Sequence, residues 1–280
     1  MNVKSWALLG LVAVAASSAA IVRRHDVADT QYRNFAAIHP NNAIGEVNGV
    51  FASGSGTYLG FGNGSHWILT AGHVTSGNTI QNVRFGGQTI NALGQITHGS
   101  YNSSTLAFDL GLVRIASAPS GVNPIRFTTL SNLIGQRVVF CGYGLTGVGS
   151  NTTRNYDGNN RAAENIIDFS QGSGGSKFWF TNFNSPTQSG VLPLEGTTAS
   201  GDSGGGMFWH DGTDWRLAGV TSWGTDPNSA YGDQAAFVAL HNHITWLETN
   251  TGIAAVPEPT TMAFLGGLAL VALRRRRKQA

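Results

Sequence analysis

Glycine and other turn-forming residues interrupt this chain at short intervals from Gly45 to Gly224, and only short apolar segments lie between them. Glycine supplies 38 of the 280 residues, whereas Asp, Glu, Lys and Arg together make up 11%. This spacing argues against the long helices of a bundle or a coiled coil. Because 41% of the residues are hydrophobic, the chain can still bury a large core, and it is not predicted to be disordered.

Several segments between the turns alternate apolar and polar residues, as half-buried strands do. The predicted strands are 66–71, 83–85, 89–93, 110–115, 138–140, 177–183, 206–209 and 215–223. They indicate an all-β fold, a sandwich or a barrel, rather than alternating strands and helices. Only residues 237–248 show a helical period, and residues 116–123, rich in Ser, Gly and Pro, are the predicted linker between two halves.

The amino-terminal end has the pattern of a targeting segment. Residues 1–20 combine Lys4 with an apolar run and end on the small residues Ser18 and Ala20. This pattern predicts a secretory signal peptide that signal peptidase removes before Ile21. A retained membrane anchor is the alternative, although the apolar run is shorter than the roughly 20 residues that a span needs.

The carboxyl-terminal end carries a second targeting pattern over residues 256–280. Pro257, Glu258 and Pro259 precede a short apolar segment and the basic run 274–278. This order resembles the PEP-CTERM sorting signal of Gram-negative bacteria. The resemblance implies an exosortase-type sorting enzyme as a partner, transient membrane contact through this segment, and delivery to the cell surface or secretion. A permanent anchor stays the alternative, for which 262–273 is short.

Between these ends, the charge and the metal-binding residue types exclude several functions. Residues 21–256 hold 11 basic and 14 acidic side chains, which gives no reason to expect a nucleic-acid partner. The single Cys141 excludes an intramolecular disulfide and is expected to be a buried small hydrophobe. His241 and His243 are two residues apart, a poor spacing for a metal pair on a helix, so neither a metal nor another cofactor is expected.

Three short motifs follow one another in the order His, Asp, Ser. They are Thr70-Ala71-Gly72-His73, Phe108-Asp109-Leu110-Gly111 and Gly201-Asp202-Ser203-Gly204-Gly205. Each motif alone is weak, since each could be an ordinary strand end, cap or tight turn. Together they supply what the hydrolysis of an amide requires, because Ser203 needs a base, His73 exchanges protons near neutral pH, and Asp109 could hold the imidazole. The backbone N–H groups of Gly201 and Ser203 are the candidate oxyanion hole.

With these motifs and the Gly54-Ser55-Gly56-Thr57 segment before them, the chain resembles the trypsin/chymotrypsin-like (S1) serine proteases. The resemblance implies two six-stranded antiparallel β-barrels with a C-terminal helix. It places the first barrel, with His73 and Asp109, in residues 21–120, and the second barrel and helix, with Ser203, in residues 121–252. It also implies that polypeptides are the substrates and that Ser222, Trp223 and Gly224 form the edge that binds them.

The resemblance extends to specificity and activation. Thr197, six residues before the nucleophile, would form the floor of the primary pocket and carries no charge, so a preference for basic side chains is not expected. The resemblance implies that a freshly cut Ile21 places its ammonium beside Asp202. We therefore expect signal peptidase itself to make the activating terminus, with no separate activation step. Arg23 and Arg24 stand where the family usually has two glycines, and Gly206 stands where it usually has proline.

Two other functions remain open from the sequence. A member of the same fold could be catalytically quiet and serve as a surface binding module. The same three side chains could also hydrolyse acyl esters, as in an esterase. Exported serine endopeptidase is the leading hypothesis, because all three of the reacting residue types are present in order.

Overall fold

The computed structural model describes residues 20–257; the predicted signal peptide up to residue 19 and the sorting tail beyond Pro257 lie outside the described residues. The chain begins with the two-residue strand β1 (Val22–Arg23) and the helix α1 (Asp29–Ala36), followed by a 3₁₀ turn at Asn41–Ala43. In α1, Asp29 lies in the first turn and pairs with Arg33 in the last, an arrangement that the helix dipole favours. This helix was not predicted from the sequence.

The first β-unit is a closed barrel of six strands, in the hydrogen-bonded order β2-β3-β4-β7-β6-β5. The short helix α2 (Gly72–Thr75) follows its third strand. Val47, Ile68 and Leu112 are among its fully buried residues, and they lie on strands whose other side chains are in part polar. Its strands are β2 (Ile44–Gly49), β3 (Ser53–Gly62), β4 (Ser65–Thr70), β5 (Ile80–Phe85), β6 (Gln88–Thr97) and β7 (Gly111–Ile115).

The second β-unit is a curled half-barrel of seven strands, in the order β10-β8-β14-β15-β16-β12-β11. Two short strands of this region, β9 and β13, instead flank β1 in a three-stranded sheet. A helix, α3 (Ile244–Thr251), follows the last strand. The strands are β8 (Arg137–Gly142), β9 (Gly147–Val148), β10 (Arg161–Ile166), β11 (Phe169–Gln171), β12 (Phe178–Asn182), β13 (Gly196–Thr197), β14 (Gly206–His210), β15 (Trp215–Gly224) and β16 (Gln234–Ala239).

The predicted all-β, trypsin-like class with a C-terminal helix is confirmed, with two corrections. The second unit has seven strands in an open, curled sheet, where six in a barrel were expected. The predicted helix 237–248 begins too early, since Phe237 and Val238 belong to β16 and α3 starts at Ile244. Residues 235–239 are buried on both faces, and such a strand reads as a continuous apolar run that imitates a helical period.

The two β-units meet along a seam that is fixed by hydrogen bonds between them. The backbone N–H of Ser55 in β3 donates to the carbonyl of Ser203 over 2.8 Å, and the Ser55 hydroxyl donates to the carbonyl of Gly201 over 3.1 Å. The same hydroxyl accepts the N–H of Tyr143 over 2.9 Å. Strand β3, the neighbour of the strand that leads to His73, is therefore attached directly to the loop that carries Ser203.

Candidate active site

His73 lies just beyond the end of β4, in the first turn of α2. Its ring atom Nδ1 is 2.8 Å from Oδ2 of Asp109, and its backbone N–H donates to Oδ1 of the same carboxylate over 2.8 Å. The His73 side chain is 29% exposed, whereas that of Asp109 is 0% exposed. Because a carboxylate accepts hydrogen bonds, this contact puts the ring proton on Nδ1 and leaves Nε2 of a neutral imidazole unprotonated.

Asp109 has a third donor, and it comes from the other β-unit. The hydroxyl of Ser222 in β15 lies 2.5 Å from Oδ2 of Asp109. The preceding residue, Phe108, has a left-handed φ of 55° and donates its N–H to the carbonyl of Gly175 over 2.9 Å. A left-handed bulky residue costs strain, so the surrounding contacts must hold this turn in place. Sequence reasoning assigned Ser222 to substrate binding and missed its contact with Asp109.

The loop that bears Ser203 packs against the residues next to His73. Gly204 has a φ of 88°, and a Cβ there would lie 2.2 Å from the Ser55 carbonyl oxygen and 2.8 Å from the Ala71 nitrogen. Only glycine fits this conformation and this approach. The N–H of Gly204 also donates to the Thr221 carbonyl over 2.8 Å. The structure thus brings the Ser203 loop, the end of β4 and the second half of β15 together at one point of the seam.

The Ser203 side chain is half-buried and makes no hydrogen bond to any of residues 20–257, and neither does Nε2 of His73. The two groups that are proposed to exchange a proton are therefore both unengaged. Hydrogen bonds between catalytic groups are often long without substrate and tighten when it binds, so this arrangement is compatible with a base and a nucleophile.

The predicted oxyanion donors differ from their neighbours in having no acceptor. Within the described part of the chain, the N–H groups of Gly201 and Ser203 make no hydrogen bond. By contrast, Asp202 donates to the Ala199 carbonyl over 3.0 Å and Gly205 to the Asp202 carbonyl over 2.8 Å. Gly201 has a φ of 91°, which glycine adopts at little cost. These two N–H groups are thus free to bind an oxygen atom that is not part of the protein.

Asp202 is fully buried and accepts only backbone N–H groups. Its Oδ2 accepts from Ile21 over 3.0 Å and from Ala199 over 2.8 Å, and its Oδ1 accepts from Gly144 over 2.7 Å. Burial raises the pKa of this carboxyl to about 7, against the lowering effect of these hydrogen bonds. The structure therefore brings together the predicted pair Ile21 and Asp202, although the two residues are 181 positions apart.

A cavity of about 180 Å³ opens beside Ser203. The predicted edge residues Ser222, Trp223 and Gly224 line it. Thr197 does not: it is fully buried in β13, where it pairs with Val22 of β1. Ser203 also lines it. The sequence did not predict the other lining residues, which are Thr198, Ala199, Ser200, Thr221, Asp226, Pro227 and Ser229.

The remaining candidate groups, Cys141, His241 and His243, do not line this cavity. Cys141 is buried, and burial raises the pKa of its thiol, which donates to Oδ1 of Asn160 over 2.8 Å. Burial lowers the pKa of both His241 and His243 to about 4. Within residues 20–257, no group of three or more His, Cys, Asp or Glu side chains is arranged to hold a metal ion.

Two β-units with a His–Asp pair and a glycine-rich serine loop at their seam place the protein among the serine hydrolases whose site lies between two β-units. The family model named Trypsin matches residues 47–247. Serine protease 1 of Drosophila melanogaster is 30% identical over 232 residues, which are 74% of this chain and 81% of that protein. Kallikrein-8 of Mus musculus is 26% identical over 204 residues, or 66% of this chain and 73% of its own. The chain belongs to the trypsin family and is a serine-type endopeptidase.

The solved structure of HL collagenase shares the fold, with a TM-score of 0.56 at 18% identity over 76% of this chain and 94% of its own. A second model, the PEP-CTERM protein-sorting motif, matches residues 255–278. This motif implies sorting by an exosortase and indicates export to the envelope or surface of a Gram-negative bacterium. Among the residues that the structure covers, no helix is long and apolar enough to cross a membrane.

Proposed function

We propose that this protein is an exported serine endopeptidase in which Ser203 is the nucleophile, His73 the general base and Asp109 the group that holds the imidazole. One observation carries the proposal: the fully buried carboxylate of Asp109 accepts hydrogen bonds from both Nδ1 and the backbone N–H of His73, each over 2.8 Å. A carboxylate in that position orients the ring and favours the imidazolium that forms when His73 takes a proton.

In the first half of the reaction, Nε2 of His73 takes the hydroxyl proton while the Ser203 oxygen bonds to the substrate carbonyl carbon. The carbonyl oxygen becomes an oxyanion, which the N–H groups of Gly201 and Ser203 stabilise. Each such donor is worth about 3 kcal/mol in the transition state. The intermediate collapses when the imidazolium gives its proton to the leaving amine, and an acyl ester remains on Ser203.

Water completes the cycle by the same steps. His73 takes a proton from a water molecule while the water oxygen bonds to the acyl carbon. The oxyanion then forms a second time at the same two N–H groups. Collapse breaks the ester, the Ser203 oxygen regains a proton from His73, and the carboxylic acid product leaves. Every proton passes between Ser203, His73, the substrate and water, so the scheme uses no cofactor.

We also propose a primary specificity unlike that of trypsin itself. Thr197 carries no charge, is fully buried and does not line the cavity. The lining residues that are buried, Thr221, Ser222, Thr198 and Ser229, contribute hydroxyl groups, and Asp226, the one charged member, is exposed. A buried charge is what a basic side chain needs as a partner in such a site. No residue that lines the cavity supplies a buried charge, so small, polar or apolar substrate side chains are favoured.

We infer that signal peptidase generates the activating terminus by cutting before Ile21. In the uncut chain Ile21 has a φ of 41°, a strained conformation for a β-branched residue, and a cut before it removes the preceding carbonyl that causes the strain. The cut also places a positive charge 3.0 Å from a buried carboxylate that has no other charged hydrogen-bond donor. Because Ala20 and Ile21 are both 0% exposed, a cut during export, before folding, fits better than one on the folded chain.

The two terminal segments determine how we propose that the chain is exported and processed. Residues 1–20 would direct export and be removed, and residues 256–280 would contact the membrane transiently and be removed by the sorting enzyme. The part between them, 21–120 for the first barrel and 121–252 for the second β-unit and its helix, would act on polypeptides at the cell surface or outside the cell. No nucleic-acid partner is proposed.

The experiment that tests the enzyme is active-site labelling with a fluorophosphonate, followed by assays on casein and on a small acyl ester. The wild-type protein is expected to label and to cleave casein, and Ser203→Ala to do neither. Ser200→Ala is the matched control, since Ser200 lines the same cavity and its carbonyl interaction with Leu145 stays intact.

Each outcome separates the functions that the sequence left open. Labelling with cleavage of the ester but not of casein would indicate an esterase. A folded wild-type protein that does not label would indicate a binding module. Amino-terminal sequencing of the active protein tests activation, and a terminus other than Ile21 would contradict it.

A further inference from the structure

The amino-terminal segment lies between two strands of the body and is then attached by α1. Val22 pairs with Thr197 on one side and with Gly147 on the other. The N–H of Gly149 donates to the Arg23 carbonyl over 2.9 Å, and the Thr146 hydroxyl donates to the Ile21 carbonyl over 3.0 Å. These bonds hold only the first three residues, and a two-residue strand at a chain end would fray unless something else fixed it.

Tyr32 of α1 supplies the first additional attachment. Its side chain is 0% exposed and packs in the same core cluster as Ile21. Its hydroxyl donates to the Glu195 carbonyl over 2.8 Å and accepts the N–H of Arg24 over 3.2 Å. Burial raises the pKa of Tyr32, so the hydroxyl keeps its proton. One side chain therefore links the residue after β1 to the residue before β13.

Asp29 of α1 supplies the second attachment. Arg161 in β10 is 2% exposed and donates to both oxygens of Asp29, over 2.6 Å and 2.9 Å. The same carboxylate accepts Nε of Arg23 over 3.1 Å. Burial opposes ionisation of Asp29, but the Arg161 hydrogen bonds and charge outweigh it and leave the pKa lowered. Arg161 also binds Asp157, a residue outside the amino-terminal segment, over 3.0 Å and 2.5 Å.

We propose that Tyr32 and Asp29 are positioning residues, which together with their partners Glu195 and Arg161 form a clasp that keeps the Ile21 amine at Asp202. The inference rests on the proposed activation by Ile21. Ordering a free chain end costs conformational entropy, and a clasp that has already fixed the segment leaves less of that cost to the ion pair. The clasp shifts the equilibrium toward the inserted terminus, and therefore toward the state with ordered oxyanion donors.

The clasp also gives a physical account of the two arginines at the positions where the family usually has glycine. Arg23 pairs with Asp29, and Arg24 pairs with Asp26 and donates to the Leu192 carbonyl over 2.7 Å. Glycine lets a chain end swing into place, whereas these side chains fix the segment on the body. A terminus that is cut during export, before folding, only has to be held at its site. It does not have to change conformation in a protein that has already folded.

The test measures how fast cyanate carbamylates the Ile21 amine in the purified mature protein, with fluorophosphonate labelling in parallel. Lys177 is the only lysine between residues 21 and 257, so its ε-amine is the internal reference in peptide mass spectra. Tyr32→Phe keeps the ring and removes the hydroxyl, and Tyr58→Phe is its control, because the Tyr58 hydroxyl binds His66 in the first barrel. Asp29→Asn is paired with Asp157→Asn, since each removes one of the two carboxylates from Arg161.

In the wild type the Ile21 amine is expected to react far more slowly than Lys177. Tyr32→Phe and Asp29→Asn are expected to raise its rate about tenfold and to slow phosphonate labelling in proportion, with Lys177 unchanged. The effect corresponds to about 1.4 kcal/mol of lost positioning. Tyr58→Phe and Asp157→Asn are expected to leave both rates at wild-type values. Melting temperatures identify any variant that has lost its fold. If Tyr32→Phe has lost its fold, the comparison of Asp29→Asn with Asp157→Asn tests the clasp.

Two results would overturn the clasp alone: a protected wild-type amine that stays protected in both Tyr32→Phe and Asp29→Asn, or equal increases in Asp29→Asn and Asp157→Asn. The second would show that the charge of Arg161, rather than the link to α1, matters. A wild-type amine that reacts as fast as Lys177 would instead contradict the activation pair, and the clasp with it. Labelling of Ser203 is measured separately, so failure of the enzyme proposal remains distinguishable.

Discussion

Two fully buried aspartates belong to the candidate active site, Asp109 beside His73 and Asp202 next to Ser203, and their surroundings differ in kind. Asp109 accepts from side chains, an imidazole and the Ser222 hydroxyl, as well as from one backbone N–H. Asp202 accepts from three backbone N–H groups, and the pKa of its carboxyl is raised to about 7 because of burial. Amide dipoles alone leave a buried carboxylate short of charge compensation.

The difference teaches how one residue type can serve two tasks. In the proposed mechanism, the ring beside Asp109 becomes positive during each reaction cycle, so the counter-charge of Asp109 comes and goes. In the proposed activation, Asp202 gains a counter-charge once, when the bond before Ile21 is cut, and keeps it. The first carboxylate is suited to a catalytic step, and the second to a structural state that is set when the chain matures.

The strongest way to separate the two carboxylates is to neutralise the first. Asp109→Asn is expected to lower kcat on a peptide substrate about 10⁴-fold, because an amide can hold the wrong tautomer of His73. Steady-state kinetics measure it, and the exposed Asp168→Asn is the control. A fall smaller than tenfold would mean that Asp109 does not orient the base.

Neutralising the second carboxylate is expected to cost less. Asp202→Asn is predicted to lower the rate of phosphonate labelling about 10²- to 10³-fold, the size of effect that loss of an oxyanion donor produces. His73 keeps its contacts in this variant, so the pH dependence that reflects the base should stay. Labelling at the wild-type rate would show that the oxyanion N–H groups do not depend on Asp202.

The pH dependence of stability should also distinguish a cut chain from an uncut one. A Ser203→Ala variant that retains Ala20 is inactive and has no free amine at Ile21. In this protein the pKa of Asp202 is about 7 in the folded state and has its ordinary value of 3.8 in the unfolded chain. The folded form thus binds the extra proton between these values, and its free energy of unfolding falls as the pH rises through this window, by up to a few kcal/mol.

Denaturant unfolding at pH 4 to 8 measures this fall. The matched protein that begins at Ile21 should show a smaller decrease over the same window, because its ammonium stabilises the ionised carboxylate. Parallel profiles for the two proteins would contradict the assignment of Asp202 as the partner of the new terminus.

The smallest expected effect concerns the third donor to Asp109. Ser222→Ala removes one hydrogen bond to a charged group and leaves the two from His73, so kcat should fall about tenfold with KM little changed. Ser200→Ala, which lines the same cavity, is the control. A fall as large as that of Asp109→Asn would show that Ser222 and His73 contribute equally to holding the carboxylate.

The parts of the fold that the sequence predicted are those whose signal is local. Strands β4, β7 and β15 lie within one residue of their predicted bounds, because each is a short apolar run that turn residues delimit. Strand β10 was missed, since its Arg161 and Glu164 read as surface residues. Both are buried, and the partners that make this possible, Asp29 and Arg137, lie far away or on a neighbouring strand.

The order of residue types along the chain was enough to specify the kind of chemistry, because glycine-flanked Ser203, His73 after a strand and Asp109 before one are set by short-range geometry. Packing alone decided which partners these groups have: Ser222 on Asp109, Thr198 rather than Thr197 at the cavity, and Tyr32 against the carbonyl before β13. Such contacts join residues 100 or more positions apart. Their existence depends on which faces of the two β-units meet, and no local pattern encodes that.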